Sequence, residues 1–158
     1  WVRGLATFAV PCDAVFEKLR DFPQYVKTFA RSLARADVIE GGRDRARFHL
    51  VWDLPFPYSD RDGIVMYEAR TVAEGFVVEW WNDGRPNDPQ VGVRIEAVRG
   101  RTTLKSAGER LCALEFTYYA DLGGDFMDWI KRKAWEAEPF TYFNAIGAAL
   151  NLPEYDTP

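Results

Sequence analysis

Apolar residues recur at every second position in four separate runs between Leu33 and Asp121, and after Gly123-Gly124 the spacing lengthens to that of a helix. Ala46, Phe48, Leu50, Trp52 and Leu54 share one face of the first run, against Arg45, Arg47, His49 and Asp53 on the other. Phe76, Val78 and Trp80 repeat the pattern, and Val91, Val93, Ile95 and Ala97 oppose Arg94 and Glu96. The last run sets Cys112, Leu114, Phe116, Tyr118 and Ala120 against Glu115 and Asp121. Gly41-Gly42, the Asn82-Asp83-Gly84 run with Pro86 and Pro89, Gly100 and Gly108 supply breakers. Strands so spaced predict an antiparallel sheet with one apolar and one wet face.

The two ends of the chain supply the partners for that sheet. Val2 to Val10 reads as a strand stopped by Pro11. Pro11 suits a first helical position, Asp13 favours the positive end of the helix dipole, and Val15, Phe16 and Leu19 recur at helical spacing until Asp21-Phe22-Pro23. A short helical turn is expected around Gln24 to Phe29. Past the glycines, Asp125 can cap a helix running from Phe126 to about Leu150, with Asp128 in the manner of a capping box and Pro153 as the stop. Phe126, Ile130, Ala134, Ala137, Thr141, Asn144 and Ala148 trace its apolar stripe, flanked by Trp129, Phe140 and Ile146, and Pro139 should kink it. One apolar sheet face and one long amphipathic helix are both buried if the sheet curls around the helix, an α+β arrangement.

With no repeats, low-complexity tracts or linker, residues 1–158 are expected to form one domain. Six Trp, seven Tyr and eleven Phe are many rings for so short a chain, and they fit a lined cavity and an aromatic core equally. A net charge of −4 with scattered arginines argues against nucleic acid, which needs a basic stripe. No window approaches the ~20 apolar residues of a membrane span. The chain begins at Trp1, without Met, which leaves upstream residues or a removed signal open, and cytoplasmic and exported locations with them. Cys12 and Cys112 have neither metal nor redox spacing; free, packed thiols are the expectation and a single long-range disulfide the alternative.

Four stretches resemble the START-like lipid-transfer domains of the helix-grip, polyketide cyclase and lipid transport superfamily. Trp1-Val2-Arg3-Gly4 leading through Ala6-Thr7 to Pro11-Cys12-Asp13-Ala14-Val15-Phe16 is similar to the family's strand and first gripping helix. Asp53-Leu54-Pro55-Phe56-Pro57-Tyr58-Ser59-Asp60-Arg61-Asp62 resembles its Pro-aromatic-Pro turn and the Ser-Asp-Arg-Asp that opens the next strand. Tyr119-Ala120-Asp121-Leu122-Gly123-Gly124 resembles the last strand and glycine turn, and Phe126 to Ile130 the entrance to the C-terminal helix. The resemblance implies a curved antiparallel sheet around that helix, with an internal apolar cavity for one hydrophobic molecule. It also implies an N-terminal helix and two strands ahead of the strand at Trp1, lying upstream or absent from a shorter sheet. Phe48 and Tyr67 match positions where some members carry polar groups for a sterol or headgroup.

Periodicity turns Phe48, Leu50, Trp52, Tyr67, Trp80, Ile95, Phe116 and Tyr118 inward from the sheet, and Trp129, Ala137, Phe140 and Asn144 inward from the helix. Simple core packing is the alternative for each. Arg61, between Asp60 and Asp62, pairs with a carboxylate or meets an anionic ligand end. His49, the only histidine, falls on the charged face and reads as a surface residue, which leaves no His-based triad or multi-histidine metal site. Glu115 and Asp121 lie on the wet face, so no carboxylate pair for acid–base work stands out. Lys131-Arg132-Lys133 reads as the solvated side of a helix, or as a transient contact with an anionic membrane.

The reading is a non-catalytic protein that binds or transfers a lipid, sterol or fatty-acid-like molecule, with no cofactor, no metal and no nucleic acid. Its main rival is a polyketide aromatase or cyclase, which would gather Tyr67, Tyr118, Asn144 and Arg61 in one cavity. A protein-interaction module of the same fold would instead show a collapsed cavity and an exposed apolar patch. Ligand identity and oligomeric state are not legible.

Overall fold

The computed structural model describes residues 1–22, 24, 33–54, 58–95, 97–121, 123 and 128–154; within the last helix, side chains are described at residue 132 and from residue 136 onward. The elements are β1 (Val2–Phe8), α1 (Cys12–Arg20), β2 (Arg35–Gly41), β3 (Arg45–Trp52), β4 (Arg61–Val72), β5 (Gly75–Asn82), β6 (Val93–Arg94), β7 (Ala97–Gly108), β8 (Leu111–Asp121) and α2 (Asp128–Ala149). The expected turn at Gln24 to Phe29, the Pro55-Phe56-Pro57 turn and the cap at Asp125 lie outside the described residues, apart from Gln24.

The strands form one sheet in the order β1-β8-β7-β5-β4-β3-β2, with every pair on that path antiparallel. The alternating run at Val91 to Ala97 is mostly not strand: β6 is two residues long and pairs with the start of β4 in parallel. β4 departs further from alternation, because Arg61 to Tyr67 are all buried. Its outer face, expected to be wet, is covered by the segment that follows β5.

The inner face closes on both helices. Val15, Phe16 and Leu19 of α1 are buried, and Phe16 stacks on Phe76 of β5 with ring centroids 4.4 Å apart. α2 passes across β1 at Gly4, where an added Cβ would lie 2.7 Å from both Pro139 Cβ and a ring carbon of Phe143; a side chain there would push the helix off the sheet. Each large side chain in this core contributes about 1.5–3 kcal/mol of apolar burial. Cys12 and Cys112 form a disulfide, which corrects the expectation of free thiols. Both sulfurs sit on the buried side where α1 crosses β8, a proximity that a sequence separation of 100 hides.

α2 runs through Pro139 and ends at a left-handed residue, Asn151 (φ 55°). The Leu152 N–H donates to the Gly147 carbonyl at 2.9 Å, six residues closing on one as in a Schellman cap. The cap turns the chain back so that Glu154 reaches the space under the helix.

Candidate functional site

A cavity of about 260 Å³ lies between the inner face of the sheet and α2. Its floor is set by one cross-strand row, Tyr67 on β4, Trp80 on β5, Gly100 on β7 and Tyr118 on β8. Strands two apart in a sheet stand about 9.5 Å apart, too far for side chains to meet over an intervening residue of any size. Gly100 removes that obstacle: a Cβ there would fall 2.1 Å from a Trp80 ring carbon, so the indole lies across the glycine. Trp80 thereby stacks on Phe116 of β8 at 5.8 Å as well as on Tyr67 at 5.8 Å. Phe116 continues the stack to Tyr142 on the helix at 4.5 Å, whose hydroxyl shares a hydrogen bond with Thr102 Oγ1 at 3.0 Å.

The helix contributes Glu138, Thr141, Ala145 and Ala148 at helical spacing, with Tyr142 and Asn144 beside them. Leu33, Val65, Val98 and Glu154 add to the wall. Burial pushes the Glu138 carboxyl above its ordinary value. Burial, with the nearby Glu138 charge adding to it, pushes the Tyr118 hydroxyl far above its own. Among the described residues, neither group has a hydrogen-bond partner.

Of the residues expected at a site, Leu50, Trp52, Tyr67, Trp80, Phe116, Tyr118 and Asn144 line this cavity. Phe48 is fully buried behind it, edge-on to Tyr67 at 5.5 Å and to Phe22 at 6.5 Å. Ile95 is buried beside Trp52 over Gly63 and does not reach the wall. Arg61 is also buried, but its guanidinium donates to the carbonyls of Ser59 (2.6 Å) and Gly123 (3.4 Å), away from the cavity. On α2 the expected stripe holds at Thr141, Asn144 and Ala148, which line the cavity, but Ala137 is exposed and Phe140 faces a separate groove against β1, while Glu138 takes the inward position one turn before Thr141. One residue is about 100° of helix, and reading only apolar side chains as inward chose Ala137 over its neighbour Glu138. Glu138 was legible as the residue four after Ala134 and three before Thr141. The side chain of Trp129 lies outside those described, as do Lys131 and Lys133; Arg132 is exposed.

His49 is not on the surface. It is 1% exposed, with Nε2 2.8 Å from Asp62 Oδ2 and Nδ1 3.3 Å from the Arg35 guanidinium. Asp62, itself fully buried, also accepts from Arg94 at 3.0 and 3.1 Å and from the Val91 N–H at 3.0 Å. Burial works against its charge, but these donors outweigh it and hold the carboxyl below its ordinary value. Next to it, buried Arg47 donates to Asp83 at 2.7 Å and to Asp88. These bonds pin the segment from Asp83 to Arg94 against β3 and β4, which is why that face is dry. Among the described residues, no three His, Cys, Asp or Glu side chains are placed to hold a metal ion, and no helix is long and apolar enough to cross a membrane.

No family model and no curated protein sequence matches the chain. Solved structures do. Human STARD10 superposes with a TM-score of 0.78 at 17% identity, over 94% of this chain and 62% of that one, so the chain spans less than two thirds of its length. A STAR-related lipid transfer protein from Xanthomonas axonopodis gives 0.77 at 20% identity, over 94% and 84%. The Zhui aromatase/cyclase of a Streptomyces species gives 0.62 at 15%, over 95% and 92%. Strand order, the gripped C-terminal helix and these superpositions agree that the chain has the START-like helix-grip fold.

Proposed function

We propose that residues 1–158 form a single ligand-binding domain that takes up or transfers one hydrophobic small molecule without changing it. The observation that carries this reading is the cavity between sheet and α2, walled by stacked rings from three strands and the helix. Its volume of about 260 Å³ lies just under the ~300–1,000 Å³ of drug-sized ligand sites, which suits a small ligand, or a larger one once α2 shifts. Binding draws on apolar burial at about 25 cal/mol per Å². The exposed side of α2 near Arg132 is where a transient membrane contact would deliver the ligand.

Native mass spectrometry of the purified protein, followed by organic extraction, tests the reading. A co-purifying small molecule of one chemical class supports it; a chain that carries nothing and takes up no lipid, sterol or fatty acid contradicts it.

An aromatase or cyclase activity is the second reading. Tyr67, Tyr118 and Asn144 do line one cavity, and Glu138 adds an acid; Arg61, the fourth polar group such a site was expected to use, does not line it. Turnover of a poly-β-keto substrate by the purified chain would establish that reading, and binding without turnover would exclude it.

A further inference from the structure

Glu138 places a carboxyl in a cavity wall made mostly of aromatic and aliphatic side chains, where Thr141, Asn144 and Glu154 are the other non-aromatic polar residues, opposite the Tyr118 hydroxyl on β8. Among the described residues the wall contains a second acid, Glu154, and no lysine, arginine or histidine. We propose that Glu138 and Tyr118 form the polar end of the site and select a ligand whose head is uncharged and accepts hydrogen bonds, such as an alcohol, ketone or ester, against one whose head is an anion. This inference rests on the binding reading above.

The chemistry follows from what the wall lacks. An anionic head leaving water loses its hydration and finds no counter-charge, a cost that apolar burial of a short chain does not offset. A carboxyl with no donor aimed at it is stable in such a place only when protonated, and a protonated carboxyl carries an O–H to donate. Tyr118 carries the other. Two donors in an apolar cavity, neither satisfied by the described protein, suit one acceptor oxygen on the ligand. Among the described residues, the titratable groups facing Glu138 across the cavity are Tyr67 on β4, Tyr118 on β8 and Glu154 on the segment after α2, with Tyr142 on its own helix; none of them supplies a positive charge.

The test uses displacement of a neutral fluorescent probe, N-phenylnaphthylamine, by four ligands sharing one alkyl chain: decanol, methyl decanoate, decylamine and decanoate, at neutral pH. The expected result is that decanol and methyl decanoate displace the probe at concentrations at least about tenfold below decanoate. Tyr118→Phe should weaken decanol about fivefold, the loss of one hydrogen bond. Glu138→Ala, which removes the other donor, should weaken decanol by a similar factor of about five. Decanoate binding as tightly as decanol overturns the proposal. So does a preference for decylamine that vanishes in Glu138→Gln, which would assign an ionised Glu138 to a cation. Failure of the probe itself to bind overturns the binding reading, and this inference with it.

Discussion

The outer face of β3 and β4 and the cavity under the inner face of the sheet bury polar groups in opposite ways. On the outer face, Arg47, His49 and Asp62 are nearly inaccessible, and each has charged or hydrogen-bonding partners at 2.7–3.3 Å. On the inner face, in the cavity wall against α2 and β8, Glu138 and Tyr118 have none among the described residues. A satisfied buried network fixes one arrangement of the chain, whereas an unsatisfied pair beside a void is what a binding site presents before its ligand arrives. The outer face therefore reads as structure and the inner face as function.

The contrast breaks most readily at Asp62. Asp62→Asn leaves half-buried Arg94 and buried His49 without their carboxylate partner, and chemical denaturation should show a loss of about 3–5 kcal/mol, with probe binding at low temperature retained. A loss under 1 kcal/mol would mean the network is not holding the outer segment in place. Removing the disulfide, by Cys12→Ala with Cys112→Ala, should cost about 2–4 kcal/mol in the same assay, again without abolishing binding. Gly100→Ala acts on the inner face: its methyl meets the Trp80 ring, so about 1–3 kcal/mol of overpacking strain should come with weaker uptake of the probe. A variant that loses stability but binds normally would detach the aromatic row from the site.

Acid and base should distinguish the faces as well. Asp62 and Asp88 have lowered values in the fold, so the stability they give is present above their ordinary value of 3.8 and is lost as pH falls below it. Glu138 has a raised value, so the folded chain holds a proton that the unfolded chain releases, and its cost grows as pH rises above 4.5. Thermal melts of Glu138→Gln and the parent should coincide in acid and separate above that pH, with the variant higher. Melts that run parallel at every pH would show that Glu138 is no more desolvated than in the unfolded chain.

Much of the inner face was legible in the sequence, because period-two alternation depends only on the pleat: Leu50, Trp52, Trp80, Phe116 and Tyr118 follow from it directly. The outer face was not. Arg47 and His49 look solvated because charged side chains usually are, and nothing local shows that a segment some forty residues later returns to pair with Arg47 or that His49 meets Asp62 on the neighbouring strand. The Cys12–Cys112 bond was hidden in the same way. On α2 the signal was present but weak, since Glu138 sits one residue from the apolar stripe and a rule that sends charges outward discards it.

Trp80 and Trp81 are neighbours in sequence and point to opposite faces of β5, which makes their indole N–H resonances a direct test of where a ligand sits. Titrating the protein with decanol under nitrogen-edited NMR should shift Trp80 and Trp52 and leave Trp81 and Trp1 in place. Movement of Trp1, beside the separate groove between β1 and α2, or no indole movement at saturation would contradict a binding cavity lined by Trp80 and Trp52.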